Sequence, residues 1–190
     1  MTSSVVEVCN IALAFLGHEP RINDLNENTK AAKLCSTLYN PARKALLRSY
    51  LWRFARKRAV LSPDTAIPAF GAGYQFELPS DFIRTADVDD YYRIGYGKWT
   101  REGNKIIAET EIFNLIYIYD VENVALFDPM FVSLLASKLA VDLATPLTQS
   151  NTRRSEMIDK YKSDLKAAFV SAIENDSQKF LSEALLQARR

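Results

Sequence analysis

The sequence predicts an α+β fold: a helical bundle formed by both ends of the chain, with a small, mainly antiparallel β domain inserted in the middle. Three observations predict it. Apolar residues recur at spacings of three and four near both ends, the signature of amphipathic helices. Between these regions Pro63, Pro68, Gly71, Gly73 and Pro79 punctuate the chain, and short segments rich in β-branched and aromatic residues follow. The 190 residues are 48% apolar and 25% charged, enough for one core with a smaller insert and ordinary for a globular protein. The expected division is 1–60 with 125–190 for the bundle and 61–124 for the β domain.

The first helix is expected over VVEVCNIALAFLG, because Ser4 and Glu7 are spaced as a capping box and Gly17 stops it ahead of Pro20. The second runs from about Asn28 to Tyr50. Ala31, Leu34, Cys35, Leu38, Ala42, Ala45 and Leu46 form its apolar stripe, Lys30, Lys33, Lys44 and Arg48 share the opposite side, and Pro41 should kink it. Strands are expected in YQFEL, DFIRTADV, GKWTR, KIIAE and NLIYIYDV, with Glu102-Gly103-Asn104 as a hairpin turn. Asp128-Pro129 then opens a third helix over Met130 to Ala144, apolar on most sides, which Thr145-Pro146 closes. Ser150-Asn151 opens a fourth, with Met157, Tyr161, Leu165, Ala168, Phe169 and Ala172 as its stripe and a break or new cap at Asp176-Ser177.

Formal net charge is only +1, but its distribution is uneven. The segment from Asn28 to Pro63 holds nine of the 24 basic residues and none of the 23 acidic ones. Solvated helices usually mix signs and gain pairs four residues apart, so the bland reading, a face that merely keeps the helix in water, competes with two others. One is contact with nucleic-acid phosphates. The other is contact with an acidic protein surface, including that of another copy.

Catalytic and cofactor motifs are not evident. His18 is the only histidine and follows a helix-ending glycine, where a structural cap is expected. Cys9 and Cys35, the only cysteines, read as small buried hydrophobes of a reducing compartment, with a disulfide between their helices as the alternative. Zinc, phosphate-loop and nucleophile-elbow patterns do not occur, and Ser133 and Ser137 have no evident base. Asp81, Asp87, Asp89 and Asp90 carry the remaining metal possibility, although a solvated strand end accounts for the last three. Glu109, Glu111, Asp120 and Glu122 read as charged borders of strands. The N-terminus has no basic run of a signal peptide, and the run MFVSLLASKLAVDLA is short for a bilayer and contains Lys138 and Asp142. The expectation is a soluble protein without enzymatic activity, cofactor or metal.

The order of VCNIALAFLGHEPRINDL, SYLWRFARKRAVL, YQFELPSDFIRTADV, GKWTREGNKII and NLIYIYDVENVALFDPMFVSLLASKLAVDLATPLTQS resembles the tail tubular protein A family. These are the head-to-tail adaptor, or gatekeeper, proteins of short-tailed bacteriophages. The resemblance covers Val5 to about Ser171 and is strongest at Leu78-Pro79-Ser80-Asp81-Phe82-Ile83-Arg84 and Trp52-Arg53-Phe54-Ala55.

It implies a structural protein of the virion tail, made in the host cytoplasm, that forms a ring of usually twelve subunits. The ring sits between the portal protein and the tail nozzle protein and surrounds the channel through which DNA leaves. No catalytic residues come with the family. On that reading Lys30, Lys33, Lys44, Arg48, Arg53, Arg56, Lys57 and Arg58 face a neighbouring subunit or the channel. Tyr91, Tyr92, Tyr96 and Trp99 are candidate nozzle contacts, and Phe180, Leu185, Arg189 and Arg190 candidate portal contacts. Contact with genomic DNA would be transient, non-specific and salt-dependent, and no membrane is involved. Two rival readings stand beside it: a separate nucleic-acid-binding module using residues 43–58, and a metal-dependent nuclease using the acidic strand ends.

Overall fold

A computed structural model describes residues 4–19, 21–71, 73–88 and 98–187, with residues 87, 88 and 171–187 described by backbone alone. The described residues form four α-helices and two three-stranded antiparallel sheets, a mixed helix-and-sheet protein. By their contacts they divide into two compact units, Met1–Arg43 with Asn123–Arg190, and Lys44–Glu122.

In the first unit, α1 (Val5–Phe15) begins as its sequence dictates. Ser4 Oγ accepts the Glu7 amide at 3.1 Å and Glu7 Oε2 accepts the Ser4 amide at 3.3 Å, closing the capping box. Gly17 adopts φ +66°, the left-handed conformation that suits a residue without Cβ. It turns the chain so that the Gly17 and His18 amides donate to Ala14 and Leu13 carbonyls, both at 3.0 Å. The cap is therefore the backbone of His18 and not its imidazole. Asn10 then fastens the departing chain, accepting the Ile22 amide at 3.0 Å and donating to the Ile22 carbonyl at 2.8 Å.

Helix α2 (Lys30–Ser49) starts with the Thr29 hydroxyl accepting the Ala32 amide. Its buried side is rotated from the expected stripe. Ala32, Tyr39, Arg43 and Leu47 are buried beside Ala31, Cys35, Ala42 and Leu46, whereas Leu34 and Leu38 are half-buried and Ala45 is exposed. The long side chains of Tyr39 and Arg43 fill interior volume that a count of apolar letters assigns to Ala45.

Helix α3 (Pro129–Thr148) is the core of this unit and packs against α1 and α4 (Asn151–Gln187). Asp128 caps it, its Oδ1 accepting the Met130 amide at 2.8 Å. The expected stop at Thr145-Pro146 is overridden. Proline forfeits one amide, but the next turn still forms, and the helix ends at Gln149 in the left-handed region (φ 54°). The resulting 20-residue helix is long and apolar enough to cross a membrane, contrary to the length expected of its apolar run, yet half of its most apolar window is buried within the protein. Lys138 and Asp142 pair at 2.6 Å along its side. Helix α4 likewise continues through Asp176-Ser177, because no Gly or Pro follows Asn151 and two residues of modest propensity do not end a helix.

The second unit contains the strands. The chain leaves α2, makes a short 3-10 turn at Arg53–Ala55, and enters β1 (Arg56–Leu61). One sheet has the order β1-β6-β3, with β6 (Phe113–Tyr119) between β1 and β3 (Phe82–Val88), and two register shifts bend β3. The other has the order β2-β5-β4, from Tyr74–Glu77, Lys105–Ala108 and Trp99–Glu102. The β4–β5 hairpin turns at Gly103 (φ +56°) and Asn104, as its sequence predicts. Inward residues from both sheets, Leu61, Phe76, Ile106, Ala108, Phe113, Leu115 and Tyr117, join Leu78 in one core. Alternation along β6 makes this possible: Phe113, Leu115 and Tyr117 point one way and Asn114 the other.

Candidate functional site

The acid-free segment divides into residues that serve the fold and residues left on the surface. Arg43 belongs to the fold. It is 1% exposed on the inner side of α2, which sequence reasoning missed by grouping it with its basic neighbours. Lys30 donates to the Pro146 carbonyl. Lys44 pairs with Asp120 at 2.9 Å, Arg48 Nη1 donates to the Ile83 carbonyl at 3.1 Å, and Arg84 Nη1 donates back to the Arg48 carbonyl at 2.8 Å. These contacts tie the last turns of α2 to the β1-β6-β3 sheet.

Lys57 pairs with Asp81 at 2.6 Å and lies 3.9 Å from the centroid of the Tyr119 ring. Lys33, Arg53, Arg56 and Arg58 are exposed, as are Lys30, Lys44, Arg48 and Lys57 at least in part. Arg56, Lys57 and Arg58 stand in succession on β1, an edge strand of its sheet, where cations discourage pairing with a foreign strand. All eight cations thus reach the surface, and Lys30, Lys44, Arg48 and Lys57 also hold the chain together.

The aromatics interleaved with this segment pack inward. Trp52 is buried and its indole Nε1 donates to the Leu46 carbonyl at 2.7 Å. Tyr50 meets it edge-on at 5.5 Å and Phe54 lies 6.1 Å away. Trp52, held in this way, anchors the passage from helix to strand, with Tyr50 and Phe54 half-buried beside it.

Asp81 is a structural hub. Its carboxylate takes the Lys57 ammonium at 2.6 Å and the Tyr117 hydroxyl at 2.9 Å, and its carbonyl accepts the Asp120 amide at 2.7 Å. Burial works to raise its pKa, but the bonds from Lys57 and Tyr117 outweigh that and hold it below the ordinary carboxylate value. The same environment, burial first and then the Asp81 bond, pushes Tyr117 up to about 12. A carboxylate with a depressed folded pKa contributes stability above its unfolded value, near 4, and loses it as pH falls through the folded value. Asp81→Asn is therefore expected to cost about 1 kcal/mol at pH 7, given partial exposure. Urea unfolding at pH 7 and pH 3 should show that deficit shrinking in acid.

Among the described residues no three His, Cys, Asp or Glu side chains converge as metal ligands. Ser137 is buried and its hydroxyl is engaged by the Leu134 carbonyl at 3.0 Å. Trp99 is half-buried and packs edge-on against Phe113 at 5.8 Å, so most of its ring belongs to the β core. Tyr91, Tyr92, Tyr96, Asp89, Asp90, Arg189 and Arg190 lie outside the described residues, as do the side chains of Asp87, Phe180 and Leu185.

Two surface features have no counterpart in the sequence reading. The loop between β1 and β2 presents Ile67 and Phe70, the latter 90% exposed. Its base is fastened by Asp64, whose amide donates to the Gln75 carbonyl at 2.7 Å and whose carboxylate takes Lys105 at 2.6 Å. A groove of about 560 Å³ runs along α1, lined by Val6, Ile11, Phe15 and Ile22 together with Glu7 and Arg21. A run of uncharged residues from Thr65 to Gly73, among Pro and Gly, was the available signal for the first. In comparison with known proteins, the chain matches no family model and no curated protein.

Proposed function

We propose that this chain is a structural virion protein, a head-to-tail adaptor. Copies of it, usually twelve by resemblance, form a ring that joins the portal protein to the tail nozzle protein and lines part of the DNA ejection channel. Within each copy a helical bundle from both chain ends builds the ring, and the β domain is inserted in the chain between them. The observation that carries this reading is the segregation of charge. An acid-free segment displays Lys30, Lys33, Lys44, Arg48, Arg53, Arg56, Lys57 and Arg58 at the surface, in a chain whose remaining charge is net negative.

A ring needs heterologous contacts, one face of a subunit against a different face of the next. Opposite signs on the two faces set orientation and speed encounter. The family resemblance supports the same conclusion, and so does the use of polar groups: the carboxylate of Asp81 and the hydroxyl of Ser137 are engaged within the fold. Ile67 and Phe70 add apolar contact surface of the kind interfaces bury at their centres. The reading requires neither enzymatic activity nor a cofactor.

A separate nucleic-acid-binding module over residues 43–58 is the second reading, favoured by the exposed run Arg56, Lys57, Arg58. Burial of Arg43 and the internal bonds of Lys44, Arg48 and Lys57 weigh against it.

Charge reversal separates the two. Lys33→Glu with Arg58→Glu changes exposed residues only, so stability should move by no more than about 0.5 kcal/mol. Self-association, followed by sedimentation in rising salt, should weaken at least about tenfold in the double variant. Undiminished association with lost DNA binding would favour the module instead.

A further inference from the structure

Two apolar surfaces of this chain have opposite shapes. The first protrudes. The loop between β1 and β2 carries no charge from Thr65 to Gly73 and holds Ile67 77% and Phe70 90% exposed. Its course is constrained: Asp64 fastens its base, the Ala66 amide donates to Asp64 Oδ1 at 3.3 Å, Pro68 fixes one φ, and Gly71 turns at φ +91°. On β1, which feeds the loop, Ala59 and Leu61 belong to the core, so Arg58 and Val60 share the outer face, with Val60 71% exposed. An uncharged apolar knob is thus preceded by an outward cation.

The second is concave. Glu7, Asn10, Ile11 and Ala14 recur at helical spacing on one face of α1 and line the groove of about 560 Å³ together with Ile22. Asn10 clasps the Ile22 backbone through both its amide and its carbonyl, so the groove is built before anything fills it. Its rim is acidic. Glu7 lines it, and Glu27 Oε1 accepts the amides of Asn23, which also lines it, and of Asp24, at 2.7 and 3.1 Å. Residues 1–27 hold Glu7, Glu19, Asp24 and Glu27 against one Lys or Arg, Arg21.

We infer that the Ile67–Phe70 loop of one copy seats in the α1 groove of the next. This inference rests on the adaptor reading and names the contact from which its ring is built. Ile67 and Phe70 are exposed, so the loop is not seated on its own chain. An uncharged knob meets neither Glu7 nor Arg21 with a like charge, and the cations of β1 match the acidic rim of the groove in sign. A knob and a socket on one chain are the two different faces that a heterologous contact requires, and repeating that contact closes a ring where the rotation allows. The uneven charge then has a place: the acid-free segment leads into the knob, and the acid-rich one surrounds the socket.

Both sides can be altered at exposed positions. Phe70→Ser removes the knob and Ala14→Trp fills the socket. In sedimentation of the full chain, each variant alone is expected to associate at least about tenfold more weakly than the wild type, the loss that follows from leaving one aromatic ring in water. Mixed in equal amounts, they should form one-to-one pairs of wild-type strength and nothing larger, because the pair retains one intact knob and one intact socket. Wild-type association of either variant, or weakened association that mixing fails to restore, would overturn this contact and leave the adaptor reading standing. A wild-type chain that stays monomeric both alone and with a portal protein would overturn the two together.

Discussion

Replacing Phe113 by alanine is expected to lower the unfolding free energy by about 3–5 kcal/mol, the range for removing a fully buried aromatic ring. Phe113 opens β6 opposite Leu61 and is fully buried. Its ring lies 5.7 Å from Phe76 on β2 and 5.8 Å from Trp99 on β4, so one side chain of the first sheet touches both edge strands of the second. Loss of it removes transfer energy, two aromatic contacts and the filling between the sheets. Urea unfolding monitored by tryptophan fluorescence measures the cost. Hydrogen exchange tests the cause: amides of β5 and β6 should lose protection together. Loss confined to β6 would mean that the two sheets do not share a core.

The second large effect is expected at Phe131→Ala, again about 3–5 kcal/mol. Phe131 is fully buried in the first turn of α3 and meets Phe127 edge-on at 5.0 Å. Because α3 packs on both α1 and α4, a cavity there weakens two helix contacts at once. Leucine at this position should restore part of the loss, since it refills volume without the ring geometry. Thermal unfolding of the alanine and leucine variants side by side checks this. Equal losses in both would mean that the aromatic contact with Phe127, and not filled volume, carries the energy.

How far the fold was legible depended on the range of the cause. The Ser4–Glu7 box, the Gly17 stop, the Asp128 cap and the Gly103 turn were readable because each is decided within a few residues. Pro146 misled because a proline removes one amide but does not by itself end a helix that packing sustains. Asp176-Ser177 misled similarly. Strand β1 was obscured because Arg56, Lys57 and Arg58 replace the usual alternation, which an edge strand can tolerate.

The candidate site was legible only in part for the same reason. Exposure of Lys33 and Arg58 follows from local pattern, but the bonds of Lys44 to Asp120 and of Lys57 to Asp81 depend on residues far along the chain. Burial of Arg43 was unreadable from composition. An arginine between Ala42 and Lys44 reads as surface until the helix is turned by its neighbours Tyr39 and Leu46.

The central claim is that this chain is a ring-forming adaptor. Size-exclusion chromatography with light scattering tests it most directly, run on the full chain alone and with the portal protein of a short-tailed phage. The account predicts a discrete assembly whose mass is a multiple of 21.5 kDa, alone or docked on the portal, that weakens with salt. A species that stays at 21.5 kDa, ignores the portal and shifts duplex DNA at physiological salt would contradict it.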